Sequence, residues 1–154
     1  MFETILFDAF PSFTTNPINE LMWAFYAQCS KGVCIEFDFA LEPKLLQTLL
    51  PVKYDDNFPE INSLDDMVPA LLIKRTAWAY ENEWRMLSNT QQHSFNKACI
   101  KKIIFGYNVE KSVIDDIRKF MMENGYTEVK LQQVNMRIKG TTLKPMPELN
   151  LRKK

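Results

Sequence analysis

The chain has 154 residues, of which 46% are hydrophobic and 25% charged, with 19 basic and 19 acidic side chains. That length suits one domain with a real core, and no apolar run approaches a bilayer span. Zero net charge gives no electrostatic case for nucleic acid.

The opening stretch MFETILFDAF carries Glu3 and Asp8 and no basic region, so it does not read as a signal peptide. Cys29, Cys34 and Cys99 lack metal-like spacing and read as reduced, buried thiols of a cytoplasmic protein. The charges are unevenly placed. Residues 1–100 hold 7 Lys and Arg against 13 Asp and Glu, whereas residues 101–154 hold 12 against 6. Either an acidic face meets a basic face in a homodimer, or the end of the chain, Arg152-Lys153-Lys154, is simply solvated. The second reading is the plainer one. Four glycines leave little room for a phosphate-cradling loop.

In chain order, residues 2–13 read as extended. Asn16-Pro17 is a helix start, with Asn16 as N-cap, and Ile18, Leu21, Met22, Phe25 and Cys29 repeat at helical spacing. After Gly32, the alternation of Val33, Ile35, Phe37 and Phe39 with Cys34, Glu36 and Asp38 predicts a strand. A short helix over 42–49 and a short strand at Val52-Lys53-Tyr54 follow. Residues 55–62 form a polar loop. Ser63 with Asp66 makes a capping box for a helix running through Leu71 and Leu72 to about Trp78.

Residues 82–88 then read as a strand and 89–97 as a polar loop holding the only histidine, His93. Ile100–Phe105 is a buried strand ended by Gly106. Asn108 caps a helix whose apolar face is Val109, Val113, Ile117, Phe120 and Met121, stopped by Asn124-Gly125. Val129 and Leu131 alternate in one frame and Val134, Met136 and Ile138 in the other, which predicts a strand bulged near Gln132-Gln133. The strand–helix–strand pattern from 100 to 138 suggests a crossover. The fold class is α+β (mixed α/β), with a central mixed sheet of about five strands flanked by about four helices. It is read as a single domain over residues 1–140 with a tail at 141–154.

The densest chemistry is in Trp78-Ala79-Tyr80-Glu81-Asn82-Glu83-Trp84-Arg85. Three large aromatics, two carboxylates and a guanidinium are costly neighbours unless the charges are paired or used. On a strand, Glu83 and Arg85 share a face. They are either a catalytic or ligand-binding carboxylate held by a guanidinium, or a structural ion pair. At helical spacing, Lys74 reaches Trp78 as a cation–π contact or meets Glu81. Trp23 and Tyr26 lie opposite the Leu21/Phe25 stripe, either exposed for stacking or buried in a sandwiched helix. Glu36 and Asp38 share a strand face but have no further metal ligands at suggestive spacing. His93 supports no Ser/His/Asp or Cys/His arrangement.

These residues resemble, in order, a bacterial family known as domain-of-unknown-function family 2971. The resemblance runs through Ser12-Phe13, Leu21-Met22-Trp23, Tyr26-Ala27 and Lys31-Gly32-Val33-Cys34-Ile35-Glu36-Phe37-Asp38. It continues in Val52-x-Tyr54, Leu71-Leu72-x-Lys74, Trp78-x-Tyr80-Glu81-x-Glu83-Trp84-Arg85 and Ile103-Ile104-Phe105-Gly106. Phe25 and Ser30 stand where the family commonly has histidines. The family's upstream Tyr-Arg element and Asn-Asp-Pro turn are not in this sequence, so the expectation is a short or trimmed member lacking the usual N-terminal part.

The family's layout is weakly similar to ADP-ribosyltransferase-type folds. That likeness implies a catalytic role for Glu83 on a nicotinamide dinucleotide (NAD), with Tyr26 or Tyr80 stacking on the nicotinamide. The expectation is therefore a ligand- or partner-binding module without catalysis, using Trp23, Tyr26, Lys74, Trp78, Tyr80 and Arg85. Its partner is an unknown protein or small molecule, or a second copy. The alternative is the Glu83 transferase. A metal enzyme using Glu36 and Asp38 is a weaker third.

Overall fold

Apolar runs and turn residues divide the chain into short elements, and a computed structural model describes residues 2–6, 11–88, 92–136 and 143–145. The strands are β1 (Phe2–Leu6), β2 (Ser12–Thr14), β3 (Val33–Phe37), β4 (Leu49–Pro51), β5 (Lys53–Tyr54), β6 (Ile73–Lys74), β7 (Glu83–Met86), β8 (Gln92–Asn96), β9 (Ile100–Phe105), β10 (Lys130–Met136) and β11 (Leu143–Pro145). The α-helices are α1 (Glu20–Tyr26), α2 (Pro43–Leu46), α3 (Met67–Leu71) and α4 (Lys111–Glu123). The class is mixed α+β, but among the described residues the strands form four small sheets rather than one sheet of about five strands. No helix among the described residues is long and apolar enough to cross a membrane. The chain divides into two compact units, Met1–Glu3 with Pro17–Leu41 and Phe95–Lys154, and Thr4–Asn16 with Glu42–Ser94.

In the first unit, a sheet of order β11-β10-β9-β3 is built on β9. β9 pairs antiparallel with β3 (Cys34↔Ile104) and parallel with β10 (Leu131↔Ile103). A parallel neighbour needs a crossover, and α4 supplies it, as the 100–138 pattern suggests. Ile103, Phe105, Val129 and Leu131 pack with Val109, Ile114 and Met121. Ile104 and Val134 pack instead with Trp23. The shift of frame along β10 is therefore not a bulge. Lys130–Gln133 keep an unbroken register against β9, and the strand buries alternate residues in two clusters because the sheet is covered on both faces. The register shift lies in β3, between Glu36 and Phe37.

Helix α4 turns Ile117 and Met121 inward as predicted, and Val109 is buried just before it, but Val113 and Phe120 are exposed and Ile114 is buried in their stead. Its end matches the Asn124-Gly125 stop: Tyr126 N–H donates to Met121 O (2.8 Å), Gly125 N–H to Met122 O (3.3 Å), and Gly125 has φ +76°. That is a Schellman motif. Its start is corrected. Glu110 is the N-cap, and Asn108 instead donates its side-chain N–H to Cys29 O (2.9 Å).

Helix α1 begins after Asn19, not Asn16. The Asn19 side chain accepts from the N–H groups of Leu21 (3.0 Å) and Met22 (3.2 Å), and so satisfies donors that no earlier turn can reach. Beyond α1, Gln28, Cys29 and Ser30 all have positive φ (48°, 54°, 64°). Backbone bonds hold this costly run, from Ser30 N to Trp23 O (3.1 Å) and from Asn108 N to Ser30 O (3.0 Å). Gly106 is required there, since a Cβ would lie 2.0 Å from Ser30 O.

In the second unit, β7 is the centre of an antiparallel sheet of order β2-β7-β4, with Phe13↔Trp84 and Leu50↔Arg85 in register. The Ser63–Asp66 capping box is present, but the helix it opens ends at Leu71 rather than near Trp78. The chain extends again as β6, which pairs in parallel with β5 (Tyr54↔Lys74). A 3-10 helix over Thr76–Glu81 then leads to Asn82, at φ 46°. The predicted helix over 42–49 is only α2, and β4 begins at Leu49. The predicted loop over 89–97 holds β8, which pairs with β1.

Candidate functional site around Glu83

Strand alternation sends Glu83 and Arg85 to one face of β7. The left-handed residue Asn82 turns the chain so that Glu81, at the end of the 3-10 helix, is buried close to Lys74 as well. Lys74 arrives on β6 and bridges both acids. It forms an ion pair with Glu81 and another with Glu83 Oε2 at 3.0 Å. The other carboxylate oxygen of Glu83 accepts from Arg85 Nε (2.8 Å) and from Ser12 Oγ (2.5 Å), and Arg85 Nη2 lies 2.7 Å away. Ser12 can reach it because it sits opposite Arg85 on β2.

The cluster is tied into the backbone on every side. Glu83 N–H donates to Tyr54 Oη at 2.8 Å. Arg85 Nη1 donates to Leu71 O at the end of α3. Thr14 Oγ1 donates to Glu81 O at 2.6 Å. Glu81 and Glu83 are 2% and 5% exposed, so each charge needs a partner. Two cations and two carboxylates supply that balance.

Burial alone would push the Glu83 carboxyl up. The hydrogen bonds from Ser12, Arg85 and Lys74 outweigh it and hold the group below the usual carboxylate range. Burial likewise pulls the Lys74 ammonium down, and its bonds to Glu81 and Glu83 more than reverse this, so Lys74 stays protonated well into alkaline pH. Desolvation, then the Glu81 charge, pushes the Tyr80 phenol up.

An aromatic rim adjoins the ions. Lys74 Nζ lies 5.2 Å from the Trp78 ring centroid, and the Trp78 and Tyr80 rings are 6.0 Å apart at 40°. Trp78 is partly exposed. The expected contacts of Lys74 with Trp78 and Glu81 therefore both exist, but helical spacing does not make them. A short strand followed by a 3-10 turn does.

Of the expected site residues, Lys74, Trp78, Tyr80, Glu83 and Arg85 come together in the second unit. Trp23 and Tyr26 belong to the first. Trp23 is not an exposed stacking platform. It is 4% exposed, packs on Ile104 and Val134, and donates its indole N–H to Pro17 O (2.8 Å). Tyr26 is exposed. Glu36 pairs with Lys102 (3.3 Å) and Asp38 with Lys101 (3.8 Å). His93 falls in β8, and its side chain lies outside the described residues.

Reasoning from residues missed Ser12 and Tyr54 as members of the cluster. The signal was present in two of the ordered motif elements, Ser12-Phe13 and Val52-x-Tyr54. Their partners are far away in the chain, so no local spacing points to them.

Residues 22–86 match the family model described as Protein of unknown function (DUF2971). The resemblance read from the sequence holds over that stretch, from α1 to β7. It contains Tyr54, Lys74, Glu81, Glu83 and Arg85, while Ser12 precedes it. No curated protein and no solved structure matches the chain.

Proposed function

We propose that the protein is a ligand- or partner-binding module that performs no turnover, with Trp78 and Tyr80 as its recognition surface and Lys74 backing the Trp78 ring. One observation carries this reading: both oxygens of the Glu83 carboxylate are engaged, by Lys74 on one side and by Arg85 and Ser12 on the other. A carboxylate that stabilises developing positive charge has to face the reacting group. This one faces its own scaffold. A partly exposed tryptophan beside a tyrosine suits recognition of a flat group. Only Cys99 of the three thiols is buried, with Cys34 half-buried and Cys29 exposed, so the expected burial fails for Cys29; that none is in a disulfide accords with a cytoplasmic setting.

The transferase alternative predicts release of nicotinamide from NAD, whereas on the binding reading the protein incubated with NAD releases none. Release from the wild type that disappears in a folded Glu83→Gln variant would overturn the binding reading. Quenching of tryptophan fluorescence by a ligand, reduced in Trp78→Phe and without product formation, would support it.

A further inference from the structure

Outside the Glu83 cluster, the second unit carries an exposed segment of mixed character. Phe58, Ile61, Leu64, Met67 and Val68 lie within eleven residues, and all are exposed, Ile61 by 60% and Leu64 by 83%. Carboxylates interleave them: Asp55, Asp56, Glu60, Asp65 and Asp66, with no lysine or arginine between Tyr54 and Ile73. Asp55, Asp56 and Asp66 are spent locally, on Lys53, on Thr76 and on the capping box. Glu60 and Asp65 are exposed. Such a concentration of exposed apolar side chains beside single-signed charge marks an interaction surface.

The matching chemistry is in the same sequence. Residues 146–154 combine Met146, Leu149 and Leu151 with Arg152, Lys153 and Lys154, against one carboxylate, Glu148. Apolar side chains followed by three cations complement an apolar surface edged by Glu60 and Asp65. The complementarity extends to the whole chain, whose first hundred residues are acidic and whose remainder is basic.

We propose that residues 146–154 of one copy dock on the Phe58–Val68 segment of a second copy, and the reverse, giving a dimer with two equivalent contacts. Reciprocal exchange doubles the contact that one acidic–apolar surface makes and closes the assembly at two chains. The proposal does not depend on the ligand read for the Trp78 rim.

Sedimentation equilibrium of the full chain at low and high salt tests it. A dimer that high salt weakens is expected. Glu60→Lys with Asp65→Lys should raise its dissociation constant about tenfold or more. Reversing Arg152, Lys153 and Lys154 to glutamate should do the same. Leu64→Ser should weaken the dimer without altering its salt dependence. Combining the two charge reversals should restore dimerisation. Glu60, Leu64 and Asp65 are exposed, and circular dichroism checks that each variant keeps the fold. A monomer at all concentrations overturns the proposal, including one whose own end covers the segment. So does a dimer that the reversals leave unchanged or that their combination fails to restore.

Discussion

The first unit buries hydrocarbon and the second buries charge. Among the described residues, the side chains inside the first unit include Phe105, Leu131, Ile104, Val134, Met121 and Trp23, whereas in the second the buried hydrophobics are Val52 and Met86. The two buried carboxylates, Glu81 and Glu83, are both in the second. Apolar burial is non-directional and tolerates many arrangements. A buried ion cluster tolerates few, because each charge left without a partner is costly. The first unit therefore owes its stability to area, and the second owes its geometry to a fixed set of bonds.

Four predictions would break or sharpen this contrast. The largest effect belongs to the apolar unit. Phe105→Ala should cost about 4 kcal/mol in denaturant unfolding, as expected for a fully buried aromatic, and a cost near zero would remove the apolar half of the comparison. Next is Lys74→Met, which leaves Glu81 and Glu83 together without their shared cation. It should cost about 3 kcal/mol, at the low end for a broken buried pair because Lys74 keeps some contact with water. Faster amide exchange along β7 would be its local signature.

The third prediction concerns acid. The Glu83 carboxyl is held below its ordinary 4.5, so its contribution is complete above that pH and is lost as pH falls through the lowered value. Unfolding curves of wild type and Glu83→Gln should therefore converge as the solution is acidified below about pH 4.5. Lys74 works in the other direction. Its contribution is complete below 10.5 and is lost as pH rises through the raised value. Parallel pH profiles for the two proteins would contradict the cluster's role. The smallest effect is that of Trp78→Ala on stability, about 0.5–1 kcal/mol from the lost cation–π contact. Its larger consequence should appear in ligand binding.

The same contrast explains what was legible in the sequence. β9 ends in the apolar run Ile103-Ile104-Phe105 closed by Gly106, and the end of α4 is written in Asn124-Gly125, so local pattern suffices for both. Trp23 and Phe25 are two residues apart on α1, and helical period cannot say which turns inward. Ile104 and Val134 decide it from elsewhere in the chain. Residues 72–78 have helical spacing, yet β6 forms because β5 offers a pairing edge that sequence position does not reveal. The site was legible as a set of residue types at Lys74 and at Trp78–Arg85. Its bonding was not, because Ser12 lies 71 positions from the carboxylate it bonds, and Tyr54 lies 29 from the amide it accepts.

The central claim is that Glu83 serves the fold as the hub of an ion cluster. A double-mutant cycle of Lys74→Met and Glu83→Gln, read by denaturant unfolding, tests it most directly. The account predicts a coupling energy of about 1 kcal/mol or more, with the double variant less destabilised than the sum of the singles. Additive and individually negligible effects would contradict it.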